Sequence, residues 1–188
     1  MKRIILILAL LAAPAAAQDF SAGSGAKTWN LYAEKPARFE AKVVDILCEL
    51  TGDCPENCGD GRRQLGLLRA ADKALVYPNK NAQAAFTGAA LELLPYCSAD
   101  VEVDGLLIED PDLAAKNIYL VQKIRLVGEE NWTKANSWTK KWAKANPDAK
   151  GKGPWFRRDP RVRAAIAEDG YTGIGVEAEQ PFIKELFE

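Results

Sequence analysis

Three of the chain's four cysteines fall within eleven residues, in the stretch CELTGDCPENC from Cys48 to Cys58. Cys97 is the distant fourth. What such thiols can build depends on the redox compartment. An even count in an oxidising space reads as a disulfide framework, whereas in a reducing space it reads as metal or redox chemistry. The N-terminus decides between them. MKRIILILALLAAPAAA has Lys2 and Arg3 as a charged region, a short apolar run from Ile4 to Ala13, and small residues at Ala15 to Ala17, the pattern of a cleaved secretory signal. Its apolar run is too short to span a bilayer, which takes ~20 residues. No cysteine follows the cleavage site as in a lipoprotein, and no later stretch is apolar enough to serve as a transmembrane anchor. The expectation is an exported, periplasmic protein that starts near Gln18.

The remaining 171 residues suit one domain with an extension. Their charge is uneven. Residues 18–130 carry 12 Lys/Arg against 18 Asp/Glu, residues 131–163 carry 10 against 2, and residues 164–188 carry 1 against 6. Asymmetry of this size bears on contacts rather than on fold. There is no histidine, and Met1 is the only methionine. Ser-His-Asp and Cys-His catalysis are thereby excluded. So are His- or Met-ligated haem, blue copper and His-bearing zinc sites.

Residues 18–36 read as an extended lead-in. GSGAKT (Gly23–Thr28) lacks the upstream glycine and the preceding strand of a phosphate-binding loop. ARFEAKVVDILCEL (Ala37–Leu50) is rich in β-branched and apolar residues and predicts a first strand. RRQLGLLRA (Arg62–Ala70) and KALVYPNKN (Lys73–Asn81) predict a hairpin. Phe86, Ala89, Ala90, Leu93, Leu94 and Cys97 share one face of an amphipathic helix, with Pro95 near its end. DVEVDGLLIED (Asp100–Asp110) alternates, with Val101, Val103 and Leu107 facing one way and Glu102 and Asp104 the other. Asn117–Val127 alternates too, with Ile118, Leu120, Ile124 and Leu126 on one side. An EF-hand reading of Asp100-x-Glu-x-Asp-Gly fails because its twelfth position is Pro111.

The order β-β-β-α-β-β over residues 37–128 predicts a mainly β fold with helices, a five-stranded OB-like Greek-key barrel. The stretch DVEVDGLLIEDPDLAAKNIYLVQKIRLV resembles the last two strands of bacterial periplasmic OB-fold proteins of the BOF type, a resemblance covering about residues 37–127. This chain adds four cysteines and a C-terminal extension to that pattern. The extension, residues 129–188, is basic, Trp-rich and helical in pattern and ends in an acidic tail. Glu129–Asn146 has helical spacing, with Ala135, Trp138, Trp142 and Ala145 on a face and Trp132 near its edge. Pro147–Pro154 reads as a loop. Asp159–Gly170 reads as a helix capped by Asp159, with Pro160 at its first turn and Gly170 as its stop.

For Cys48, Cys54, Cys58 and Cys97 the leading expectation is two disulfides. Four cysteines allow three connectivities, and sequence alone does not choose. Placing Cys48 late in a strand and Cys97 at a helix end favours a Cys48–Cys97 bridge, leaving Cys54–Cys58 as a tight loop. The alternative is a thiol-based metal or redox protein. The gaps are too long for a plant-type ferredoxin, Cys48 and Cys97 do not form a local zinc pair, and Cys54-Pro-Glu-Asn-Cys58 is one residue longer than a thioredoxin motif.

Two basic regions are candidate binding surfaces. Arg62 and Arg63 follow Gly59-Asp60-Gly61 and would lie on the barrel rim, close to where OB-folds bind ligands. In the extension, Trp132, Trp138, Lys140, Lys141, Trp142, Arg157 and Arg158 interleave cations with aromatics, so that either the tryptophans pack on the acidic barrel with the lysines solvated, or the segment carries the contact to a partner. That mixture suits nucleic acid, but an exported chain points instead to an envelope protein or an anionic envelope polymer. The pairs Asp110/Asp112 and Glu129/Glu130 sit at strand ends, where acids are ordinary, so catalysis has little support. The sequence therefore suggests a non-enzymatic, disulfide-stapled binding module that needs no cofactor.

Overall fold

The computed structural model describes residues 19–29, 33–79, 92–149, 151–153 and 155–187. The expected signal peptide and the helical positions Phe86, Ala89 and Ala90 lie outside these residues.

β1 (Glu34–Asp45) is the organising strand. Ala37, Phe39, Ala41 and Val43 alternate inward and are all buried, so one face of β1 is core along most of its length. Its N-terminal part pairs antiparallel with β4 (Asp100–Asp110) and its C-terminal part with β2 (Leu65–Arg69), Ala41 and Lys42 serving both ladders. β2 pairs with β3 (Leu75–Asn79), and β4 with β5 (Ala115–Leu126). A parallel pairing of β3 with β5, Tyr77 opposite Ile118, closes the ring. The result is the expected OB-like barrel, in the order β3-β2-β1-β4-β5, with β6 (Thr133–Lys134) added beyond β5. Closure removes the free sheet edges that invite unwanted pairing.

Several boundaries differ from expectation for local reasons. β1 begins at Glu34, inside the expected lead-in, and stops at Asp45 rather than Leu50. There the Asp45 carboxylate accepts from the amides of Leu47 and Cys48, at 2.9 and 3.3 Å, and starts helix α1 (Ile46–Thr51). Gly52, left-handed at φ 78°, ends it. Cys48 is therefore helical.

In β5 a register shift opposite Asp104/Gly105 inverts the alternation. Tyr119, Val121 and Ile124 enter the core, whereas Leu126 is exposed and Leu120 is buried outside the core cluster. Of the expected amphipathic face, Leu93, Leu94 and Cys97 are described. Leu93 is fully buried and the other two pack against the core, around a 3-10 turn at Leu94–Tyr96.

The extension does not hold one helix from Glu129 to Asn146. Thr133 and Lys134 form β6, and the helix proper is α2 (Trp138–Ala145). The Glu92 carboxylate accepts from the Ser137 amide and hydroxyl at 3.0 Å, placing negative charge at the N-terminus of α2. α3 (Trp155–Arg158), α4 (Pro160–Asp169) and α5 (Val176–Phe187) follow. α4 carries the expected Asp159 cap and Gly170 stop. No helix among the described residues is long and apolar enough to cross a membrane.

Candidate functional site: a cleft beside a stapled loop

The cysteine-rich stretch connects β1 to β2. Its bridges are Cys48–Cys54 and Cys58–Cys97, with Cα separations of 4.5 and 5.9 Å. The favoured pairing of Cys48 with Cys97 is thus overturned. α1 carries Cys48 away from the barrel, and the chain turns at Gly52 to bring Cys54 back to it. Cys58 is instead the buried member, 6 % exposed within the core cluster, and it meets Cys97 there. Asn57 to Gly61 all have positive φ, including the non-glycine Cys58 at 51°. Such a run is costly and persists only where its surroundings enforce it. The Cys58–Cys97 bridge and Arg63 do so here: Arg63 donates to Asp53 at 2.7 Å and lies 3.9 Å from Asp45. With all four sulfurs bridged, none offers a thiolate to a metal.

The two ends of this loop, Ile46 and Gln64, wall a cleft of about 650 Å³. β3 contributes Tyr77, Pro78 and Asn79, and the β4–β5 turn with the start of β5 contributes Ala114, Ala115, Lys116 and Ile118. Tyr77 is 41 % exposed, so a ring face is offered to a ligand. The amide oxygens of Asn79 and of Asn117, next to the lining residues, are buried and have no hydrogen-bond donor. None of these residues belongs to a motif. A proline within a predicted strand, at Pro78, was the available signal of an interrupted ladder: the pairing of β3 with β2 ends at Val76, and Pro78 lies opposite Tyr119 of β5.

The expected binding residues do not form one surface. Arg62 is exposed on the loop, whereas Arg63 is used within it. Trp132 is not on the helix; it lies against Arg125 and Arg38, with guanidinium carbons 4.4 and 5.3 Å from the ring centre. Both arginines bind Glu102, Arg38 Nε donating at 2.5 Å and Arg125 donating through Nε and Nη2. Trp138 packs edge-to-face on Trp155 and Trp142 lies tilted against it, at centroid separations of 4.2 and 5.8 Å. Trp142 Nε1 donates to the buried Asp159 at 3.0 Å, and Arg158 lies over the Trp142 ring. Lys141 reaches Glu92 at 3.5 Å, while Lys140 and Arg157 are exposed. These tryptophans fasten the extension and leave only some of its cations free for an external anion.

The lead-in is also fastened. Ser24 Oγ and the Gly25 amide donate to Asp104 at 2.6 and 3.0 Å, and Lys27 exchanges hydrogen bonds with Gln122. Ser24 to Lys27 therefore cover the outer side of β4 and β5, while Phe20, earlier in the lead-in, packs against the core beside Phe39. Comparison of the chain with protein-family models, curated proteins and solved structures found no match. Fold and site together define a closed five-stranded barrel whose first long loop is held by two disulfides.

Burial opposes ionisation of Glu102, but the hydrogen bonds from Arg38 and Arg125 outweigh it and hold the carboxyl below its ordinary 4.5. A depressed carboxylate stabilises the fold above its ordinary value, and that contribution is lost as pH falls through the folded value. Unfolding midpoints should therefore be flat from pH 7 to about 5.5 and fall below about 4.5. The Glu102→Gln variant should lose about 1–2 kcal/mol at pH 7, the partners being partly exposed, and should show a shallower acid decline. Denaturant titrations at several pH values read both effects.

Proposed function

We propose that the protein is an exported, non-enzymatic OB-like binding module, akin to the BOF type, that engages a protein partner or an anionic envelope polymer at the cleft. The observation that carries the reading is the cleft itself, set between the stapled first loop and the β4–β5 turn of a closed barrel. Loops that flank this region are where OB-like barrels take ligands. Two disulfides suit an oxidising compartment, and the charged and apolar N-terminal residues suit export to it. A loop fixed by covalent bridges and an exposed tyrosine lower the ordering cost of binding. Tyr77, Ile46 and Ile118 offer apolar contact and Lys116 offers a cation.

A photoreactive benzoylphenylalanine at position 77, in cells that export the protein, should capture a discrete partner or polymer adduct. The same group at the exposed Lys42, on the outside of β1, should not. Tyr77→Ala should weaken capture of that partner about tenfold or more, as loss of an aromatic anchor does. Equal capture at both positions, or none at position 77, contradicts the reading.

A further inference from the structure

The extension holds a second cavity, of about 500 Å³, lined by Arg157, Arg163, Ile166, Ala167 and Tyr171. Its two guanidiniums come from different helices, α3 and α4. The turn between those helices is fixed by Asp159, which accepts from Trp142 Nε1, from the Arg161 amide and from the Arg161 side chain. Arg161 is thereby neutralised. The side chains of Arg157 and Arg163 have no ion-pair or hydrogen-bond partner among the described residues, and no carboxylate lies among the described lining residues. Residues 131–163 carry 10 cations against 2 acids. Two unpaired cations facing one hollow repel each other, and an anion between them converts repulsion to attraction.

We propose that this cavity binds the phosphate group of an organic phosphate, whose apolar part lies against Ile166, Ala167 and Tyr171. Guanidinium forks match phosphate oxygens in bidentate geometry. The volume falls within the ~300–1,000 Å³ of small-molecule sites and exceeds what a bare phosphate ion fills. The apolar wall continues outward, with Tyr171 80 % and Ile174 53 % exposed. A phospholipid headgroup and a soluble phosphate ester share this chemistry.

Phenyl phosphate, inorganic phosphate and phenol, titrated separately into the full mature chain, test the proposal. Phenyl phosphate should bind, more tightly than either fragment. Arg157→Gln with Arg163→Gln should weaken it about tenfold or more. Tyr171→Ala should weaken phenyl phosphate while leaving inorganic phosphate unchanged. All three side chains are exposed, so the fold is retained. Arg62→Gln removes an equal exposed charge elsewhere, and Tyr77→Ala alters only the barrel cleft; neither should change the affinity. Co-flotation with phosphatidylcholine vesicles containing phosphatidylglycerol, abolished by phenyl phosphate, assigns the lipid source. Phenyl phosphate binding without flotation assigns a soluble ester. Absence of phenyl phosphate binding, binding no tighter than inorganic phosphate, or binding unaffected by the double arginine substitution overturns the proposal.

Discussion

Replacing Cys58 and Cys97 together by alanine is expected to lower stability by about 4 kcal/mol, against about 2 kcal/mol for the Cys48/Cys54 pair. The ranking follows from what each bridge constrains. The sequence separations are 39 and 6 residues, and a longer loop loses more entropy in the unfolded chain when it is closed. Cys58 also belongs to the core cluster, whereas Cys54 is exposed at the loop tip. Accessibility orders reduction in the same way: mild reductant should open Cys48–Cys54 first, with little change in the unfolding midpoint. Opening the second bridge frees the left-handed run at Asn57–Gly61, so exchange of loop amides should rise before that of the β1–β4 ladder. Urea midpoints of the two double-alanine proteins measure the ranking directly.

Gly105→Ala is expected to cost about 3 kcal/mol or more, or to prevent folding. Gly105 sits at the register shift between β4 and β5, opposite Val121, and pairs with Ala37 across β1. A Cβ there would lie 3.0 Å from Tyr119 Cζ and nearer still to the Leu120 carbonyl oxygen. The tyrosine cannot withdraw cheaply. Its ring is fully buried 4.8 Å from Phe39, and its hydroxyl donates to the Ala37 carbonyl at 2.8 Å. The backbone oxygen cannot withdraw without breaking the ladder that joins β4 to β5. Thermal unfolding of Gly105→Ala beside Gly25→Ala, where the backbone is likewise free of positive φ and a Cβ would meet only ordinary contacts at 3.6 and 3.7 Å, separates the collision from the general cost of replacing glycine.

The barrel was legible because its strands obey local rules. Val101, Val103 and Leu107 announce a buried face, and the corresponding residues are buried together. The fifth strand was read one residue out of phase before Gln122, with Ile118 and Leu120 taken for the core face in place of Tyr119 and Val121, because a bulge leaves no compositional mark. The disulfide pairing failed for a different reason. It hinged on whether Cys48 continued a strand, and one capping aspartate, Asp45, decided that it did not. The tryptophans left packing in cis and contact with a partner both open, and their particular partners were not legible: Trp142 finds Asp159 seventeen residues away and Trp132 finds two arginines on different strands. Contacts between distant segments carry no periodic signal. The cleft was invisible for the same reason, since Ile46, Tyr77 and Lys116 meet only when β3 closes on β5.

The stapled loop is the wall on which the proposed function rests, and its bridges can be read chemically. Protein recovered from the cell envelope, blocked against thiol exchange and cleaved after Glu49 and Glu56 without reduction, places Cys48, Cys54 and Cys58 on separate peptides. Mass spectrometry should then find Cys48 joined to Cys54, Cys58 joined to Cys97, no free thiol, and an intact chain lacking residues 1–17. A Cys48–Cys97 peptide, or free thiols in the intact protein, would contradict the stapled cleft.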